Sequence, residues 1–305
     1  MGMPASVRIW PGNGRRLLVA IAIALVCSAA LAVGTARAFS ARRIHARAAA
    51  PSALPHATAV GIQTLELPLP GTKVLRPVRV YRPNVPDSAQ IPVVYFLHGD
   101  PGHSTDWEIA HLGTAMTDAF RAGAPPFVAV MPDGNGASHS DTEWANAVNG
   151  TDQVETFVTQ TVIKAVEGPN LRDSAHRAIV GFSMGGYGAM NLALRHPSLY
   201  GQIVAISGYY HVDDPSHMFG NKPSAITANS PDHHAIDARG KHVLLMDGTD
   251  DGLPLVEGET LRMAGILRSI GVHPTVHFAP GEHTWQYVGS QMPYVISFLE
   301  RGWGG

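Results

Sequence analysis

The chain has 305 residues, 45% of them hydrophobic and 15% charged, with a formal net charge of −2. That composition excludes a disordered chain, a coiled coil and a polytopic membrane protein, and the length suits one or two α/β domains. The charge is unevenly spread: residues 1–60 hold seven arginines and no acid, while the rest holds 15 basic and 24 acidic residues, a poor surface for nucleic-acid phosphates.

At the N-terminus, Arg15 and Arg16 precede an uncharged apolar run from Leu17 to Val33, followed by Ala36-Arg37-Ala38. A basic start, an apolar middle and an A-x-A exit read as a secretory signal peptide over residues 1–38. The alternative is an uncleaved membrane anchor through residues 17–36, since the run stands at the short edge of the roughly 17–25 residues that span a bilayer. The single cysteine, Cys27, lies inside this run. A processed chain therefore has no thiol nucleophile, disulfide or cysteine metal site. Residues 39–60, rich in Ala, Arg and Pro, read as a linker ahead of one domain over residues 61–303.

Within that domain strand-like and helix-like stretches alternate. Strands are expected at Ile62–Leu67, Val78–Tyr81, Pro92–Leu97, Phe127–Met131, Arg177–Phe182, Gln202–Ser207, His242–Met246 and Thr275–Phe278. Helices are expected at Trp107–Arg121, Gln153–Val166, Met184–Arg195, Pro254–Ser269 and Gln286–Glu300, with Pro254 in a first turn and Gly271 as a stop. Unbroken apolar runs such as Val93-Val94-Tyr95-Phe96-Leu97 suit strands buried on both faces. The pattern predicts a mostly parallel sheet of about eight strands flanked by helices. Residues 208–240, polar and His-rich, interrupt the rhythm and read as an excursion over the sheet's C-terminal edge. With residues 135–152 they are candidate walls of a site, and Trp107, Trp144 and Trp285 are a candidate shelf for an acceptor.

Gly181-Phe182-Ser183-Met184-Gly185 is a Gly-x-Ser-x-Gly motif directly after an apolar strand and directly before a helix. That context builds a nucleophile elbow, a sharp turn that lifts a serine oxygen above the sheet while the helix N-terminus aims amides at the reacting carbonyl. Ser183 is the expected nucleophile and the Met184 N–H one oxyanion donor. The Asp100 N–H, in the loop His98-Gly99-Asp100-Pro101-Gly102, is the expected second donor; the Asp100 side chain is also a candidate cap for the helix near Trp107.

The order in such folds is serine, acid, histidine. His283, just after the last strand, is the expected base. Fifteen other histidines compete, among them His98 and His103 near the first loop, and most read as solvated. None shows a zinc-ligand spacing such as H-E-x-x-H, so no metal or other cofactor is expected. The acid should follow strand His242–Met246, where Asp247-Gly248-Thr249-Asp250-Asp251-Gly252 offers several carboxylates. Asp251 is favoured, with Asp250 and Glu257 as rivals.

These residues resemble the putative-esterase family of α/β-hydrolases, which includes esterase D, feruloyl and related carbohydrate esterases, and the antigen 85 mycolyltransferases. The matching stretches are Tyr95-Phe96-Leu97-His98-Gly99, Met131-Pro132-Asp133-Gly134, Glu155-Thr156-Phe157, Gly181 through Met190, His196-Pro197 and His283-Thr284-Trp285. The esterase pattern Gly-x-x-Asp, matched by Gly248-Thr249-Asp250-Asp251, implies Asp251 as the acid. The mycolyltransferase pattern, matched by Glu257-Gly258-Glu259-Thr260-Leu261-Arg262, implies Glu257. A departure from the family lies at Thr161, where a Glu is common. The resemblance implies an α/β-hydrolase fold and a serine esterase with a Ser183-Asp251-His283 triad, acting on a small-molecule, lipid or carbohydrate ester; the N-terminal pattern adds export or tethering outside the cytoplasmic membrane. Acyl transfer to a sugar or lipid hydroxyl is the alternative. A non-catalytic binding protein of the same fold is the third reading, against which Ser183 and His283 both stand.

Overall fold

The computed structural model describes residues 55–303 apart from 87, 88, 140 and 215. The expected signal or anchor, Cys27, and residues 39–54 of the expected linker lie outside the described residues. Among those described, no helix is long and apolar enough to cross a membrane.

Eight strands form one sheet: β1 (Val60–Pro68), β2 (Leu75–Pro83), β3 (Val93–Leu97), β4 (Val128–Pro132), β5 (Arg177–Phe182), β6 (Gln202–Ile206), β7 (His242–Gly248) and β8 (Thr275–Ala279). Their spatial order is β1-β2-β4-β3-β5-β6-β7-β8. β1 with β2 and β2 with β4 are antiparallel, and every pairing from β4 to β8 is parallel. The helices are α1 (Asp106–Ile109), α2 (Leu112–Arg121), α3 (Val154–Thr156), α4 (Ile163–Glu167), α5 (Met184–Arg195), α6 (Pro223–Ala228), α7 (Glu259–Ser269) and α8 (Trp285–Trp303).

The central strands are buried on both faces, and side-chain alternation sorts each into two cores. In β3, Tyr95 and Leu97 join Ile179, Met190 of α5 and Leu267 of α7 in one core. Val94 and Phe96 join Val180, Met116 of α2 and Met292 of α8 in the other. Each fully buried Leu, Phe or Met contributes roughly 1.5–3 kcal/mol, so the apolar runs alone commit the chain to a covered sheet. The edge strands β1 and β8 are half-exposed. A third, smaller apolar cluster joins both candidate walls: Ala145 and Ala147 pack with Tyr209, Met218 and Phe219 against Tyr187 of α5.

The expected helices differ from those observed in three places. Trp107–Arg121 is split, because His111 adopts a left-handed conformation (φ 53°) and restarts the chain as α2. Gln153–Val166 becomes α3, a π-helical turn (Phe157–Val162) and α4. Pro254–Ser269 begins only at Glu259, since Gly258 at φ 75° caps α7 and Pro254 lies in the turns before it. Gly271 does end α7, with φ 82°. The linker also ends earlier than composition suggested: Ala57 is fully buried, and Asn84 Oδ1 accepts the N–H groups of Thr58 (2.8 Å) and Ala59 (3.0 Å).

Candidate active site

β5 runs straight into α5 through Ser183, whose φ of 58° and ψ of −122° no ordinary residue adopts without strain. Its N–H donates to Ile206 O (2.9 Å) and its carbonyl accepts from Tyr187 N (3.1 Å), so both sides of the turn are tied down. The turn is possible because its flanking glycines have no Cβ: one on Gly181 would lie 1.8 Å from Gly185 O, and one on Gly185 would lie 2.1 Å from Leu97 O. A Cβ on Gly99 would sit 3.7 Å from Ser183 Oγ, which puts the loop after β3 against the serine.

The loop after β7 carries Asp251 and the loop after β8 carries His283. His283 Nδ1 lies 2.7 Å from Asp251 Oδ2. The Asp251 side chain is fully buried, and Leu253 N donates to its Oδ1 (3.2 Å). The His283 ring packs against Phe182, the residue before Ser183, with centroids 4.7 Å apart. Ser183, Asp251 and His283 thus follow the C-terminal ends of β5, β7 and β8, with His283 against the residue before Ser183 and no hydrogen bond joining His283 to Ser183 among the described residues. Asp250 does other work. Its N–H donates to Gly281 O (3.0 Å) and its carboxylate accepts from Gly281 N (3.1 Å), clasping the two loops together. Glu257 is exposed, and its carboxylate makes no hydrogen bond among the described residues.

Beneath Asp251 lies a second carboxylate, Asp247, which sequence reasoning assigned only to the strand end. Its Oδ1 accepts from Ser207 Oγ (2.9 Å) and Gly248 N (2.9 Å). Burial, with the Asp251 carboxylate beside it, pushes the Asp247 carboxyl up to about 6.

The N–H groups of Met184 and Asp100 have no hydrogen-bond partner among the described residues. That leaves two donors, one on each side of the elbow, available to an oxyanion. The Asp100 side chain is exposed and makes no hydrogen bond among the described residues, so it caps no helix; the turn before α1 is closed instead by Asp106 Oδ2, which accepts from His103 N (2.9 Å). His98, placed near this loop by the sequence among histidines that mostly read as solvated, is fully buried and anchors the loop. Gly134 N donates to its Nε2 (2.9 Å), which leaves Nδ1 to donate to Gly99 O (2.7 Å). Burial lowers the His98 pKa and keeps the ring in this neutral tautomer. Trp144 Nε1 donates to His98 O (3.1 Å). Trp144 and Trp107 are fully buried and offer no face to an acceptor; Trp285 is half-buried against Phe182, with centroids 5.0 Å apart.

Two further motif residues, Glu155 and His196, are paired with each other. Glu155 accepts from Arg195 Nη1 (2.7 Å) and pairs with His196 Nε2 (2.6 Å), joining α3 to the end of α5. In one wall, Glu143 is buried against the Tyr209 hydroxyl, and burial together with Asp141 and Asp100 raises its carboxyl well above the usual range.

Residues 72–295 match the family described as "Putative esterase". No curated protein matches the chain in sequence. Among solved structures, a ferulic acid esterase superposes with a TM-score of 0.67 at 23% identity, over 81% of this chain and 100% of its own. An S-formylglutathione hydrolase from Agrobacterium tumefaciens gives a TM-score of 0.66 at 18% identity, over 81% and 97%. MPT51 of Mycobacterium tuberculosis gives 0.60 at 20% identity, over 79% and 100%. These likenesses share the fold.

Proposed function

The chain belongs to the family described as putative esterases, and on that premise we propose that it is a serine esterase that hydrolyses carboxylic esters through an acyl intermediate on Ser183. The observation that carries this reading is the 2.7 Å contact of His283 Nδ1 with the buried Asp251 carboxylate, beside a serine held in an elbow conformation. Asp251 accepts a hydrogen bond from Nδ1–H and fixes the tautomer in which Nε2 is a base. Ser183 Oγ attacks the ester carbonyl while Nε2 takes its proton, and Asp251 stabilises the resulting imidazolium. The tetrahedral oxyanion accepts from the Met184 and Asp100 amides. When the intermediate collapses, the ester C–O bond breaks and the alcohol leaves with the proton from His283. Water, deprotonated by His283, then releases the acid and restores Ser183.

The substrate in this reading is a small-molecule, lipid or carbohydrate ester, met outside the cytoplasm after export by residues 1–38. The test is to incubate the purified chain, and its Ser183→Ala variant, with short- and long-chain acyl esters, with and without a sugar acceptor. Free acid, acylated acceptor and acylated protein are then read by mass spectrometry. Free acid at every acceptor level, and an acyl adduct absent from Ser183→Ala, is the expected result. Acylated sugar rising with acceptor would replace hydrolysis by transfer, and turnover by Ser183→Ala would overturn the nucleophile.

A further inference from the structure

The excursion between β6 and β7 gathers three metal-ligating side chains that the ester chemistry does not use. His211 lies shortly after β6. Asp232 and His233 stand in the 3-10 helix Pro231–Ala238. One ligand atom from each of the three lies within 4.8 Å of the others. We propose that His211, Asp232 and His233 bind a zinc-like divalent transition-metal ion that clasps this excursion.

The geometry suits such an ion. Two imidazoles on one tetrahedral zinc, with zinc–nitrogen bonds of about 2.0 Å, hold their ring centres roughly 5 Å apart. Here the centres are 5.8 Å apart with the rings tilted by 53° rather than stacked. His211 Nδ1 is already 3.4 Å from Asp232 Oδ2. Both histidines are exposed, so their rings can turn by the small amount that closes the site, and water can complete the coordination. Two nitrogens and one carboxylate oxygen form a borderline-soft set that favours zinc over calcium or magnesium, which take oxygen ligands.

The carboxylate is held as a ligand would be. Asp232 N donates to Tyr210 O (3.1 Å), which fixes its backbone beside His211. Arg262 Nη1 donates to Asp232 Oδ2 (2.9 Å), and Arg262 is itself gripped by Glu259, with Nη2 donating to Oε2 (2.7 Å). Outer partners of this kind orient metal-binding carboxylates. The other oxygen, Asp232 Oδ1, is buried and has no hydrogen-bond partner among the described residues. A buried acceptor left unpaired is costly, and an ion bound across both carboxylate oxygens would satisfy it. Glu259 and Asp232 against Arg262 leave one net negative charge, so a divalent ion is electrostatically welcome. The ion would link the start of the excursion to its second half and, through Arg262, to α7. Spacing along the sequence hides the site, because His211 and Asp232 are 21 positions apart.

The experiment uses the full chain, stripped with a chelator and titrated with zinc chloride against a chromophoric competitor. Wild type is compared with His211→Ala, His233→Ala, the exposed control His176→Ala and Ser183→Ala. The expected result is one zinc per chain in wild type, His176→Ala and Ser183→Ala. Binding should weaken by at least about tenfold in His211→Ala and His233→Ala, whose metal-free melting temperatures stay at the wild-type value because both side chains are exposed. Zinc should raise the melting temperature of wild type and not of these two variants. Equal zinc binding by His211→Ala and His233→Ala, or no saturable binding by wild type below millimolar zinc, overturns the proposal.

Discussion

His283 and Asp251 are bound through the ring nitrogen that faces away from solvent: Nδ1 meets Oδ2 at 2.7 Å, the Asp251 side chain is wholly buried, and the His283 side chain keeps 22% exposure. The partnership separates the three candidate acids. Asp251→Asn should lower kcat by about 10⁴-fold, because an amide reverses the tautomer the base requires. Glu257→Gln should leave kcat near wild type. Steady-state rates on one activated ester, with melting curves for both variants, check this; the opposite ranking would make Glu257 the acid.

Removing the proposed nucleophile should have different consequences for the fold depending on the replacement. Ser183→Ala and Ser183→Gly should both lower kcat by up to about 10⁶-fold. Alanine keeps the strained backbone at φ 58°. Glycine tolerates it, so Ser183→Gly should be the more stable of the two by roughly 1 kcal/mol. Denaturant midpoints of the two variants decide whether the elbow stores strain.

Asp247 gives the stability of this protein a pH dependence. Its carboxyl titrates near 6 when folded, against an ordinary value of 3.8. The folded chain therefore binds the extra proton, and the stabilisation is fully present below about pH 4 and lost as pH rises through about 6. Asp247→Asn keeps an acceptor for Ser207 and a donor towards Asp251 without ionising. Its melting temperature relative to wild type should rise between pH 4 and 6 and level off above; a difference that stays constant with pH would refute the assignment.

At the other end of the sheet, Arg177 donates to Glu167 through Nε and Nη2, both at 2.8 Å, and the Tyr95 hydroxyl donates to the same carboxylate at 2.8 Å. Burial alone would raise the Glu167 carboxyl, but Arg177 and the Arg172 N–H hold it below its usual value. Glu167→Gln strands a buried guanidinium and should cost about 3–5 kcal/mol, with kcat unchanged in the protein that remains folded. Urea unfolding measures the first and active-site-titrated rates the second.

The sequence made the elbow and the central strands legible because both are local: an apolar run, a Gly-x-Ser-x-Gly turn and a helix follow one another within twenty residues. Strand ends blurred at β1 and β2, where one face is solvated and the apolar signal thins. The break at His111 and the π-helical turn after Thr156 went unread, since the apolar period continues through both. Asp250 and Asp251 are adjacent and chemically alike, and only the direction of each side chain separates a loop clasp from a triad acid. His98 and Asp247 were missed as supports because their partners, Gly134 and Ser207, are 36 and 40 residues away, and no local pattern records such pairs.

The sheet order also sets a schedule. The proposed nucleophile follows β5, while acid and base wait for β7 and β8, the last two strands to be made. A ribosome adding about 5–20 residues per second would carry Ser183 for several seconds before His283 exists. Until then the serine has no base, and the loop after β8 that brings it cannot form. The three side chains of the proposed triad can therefore come together only once the last strand and its loop are in place.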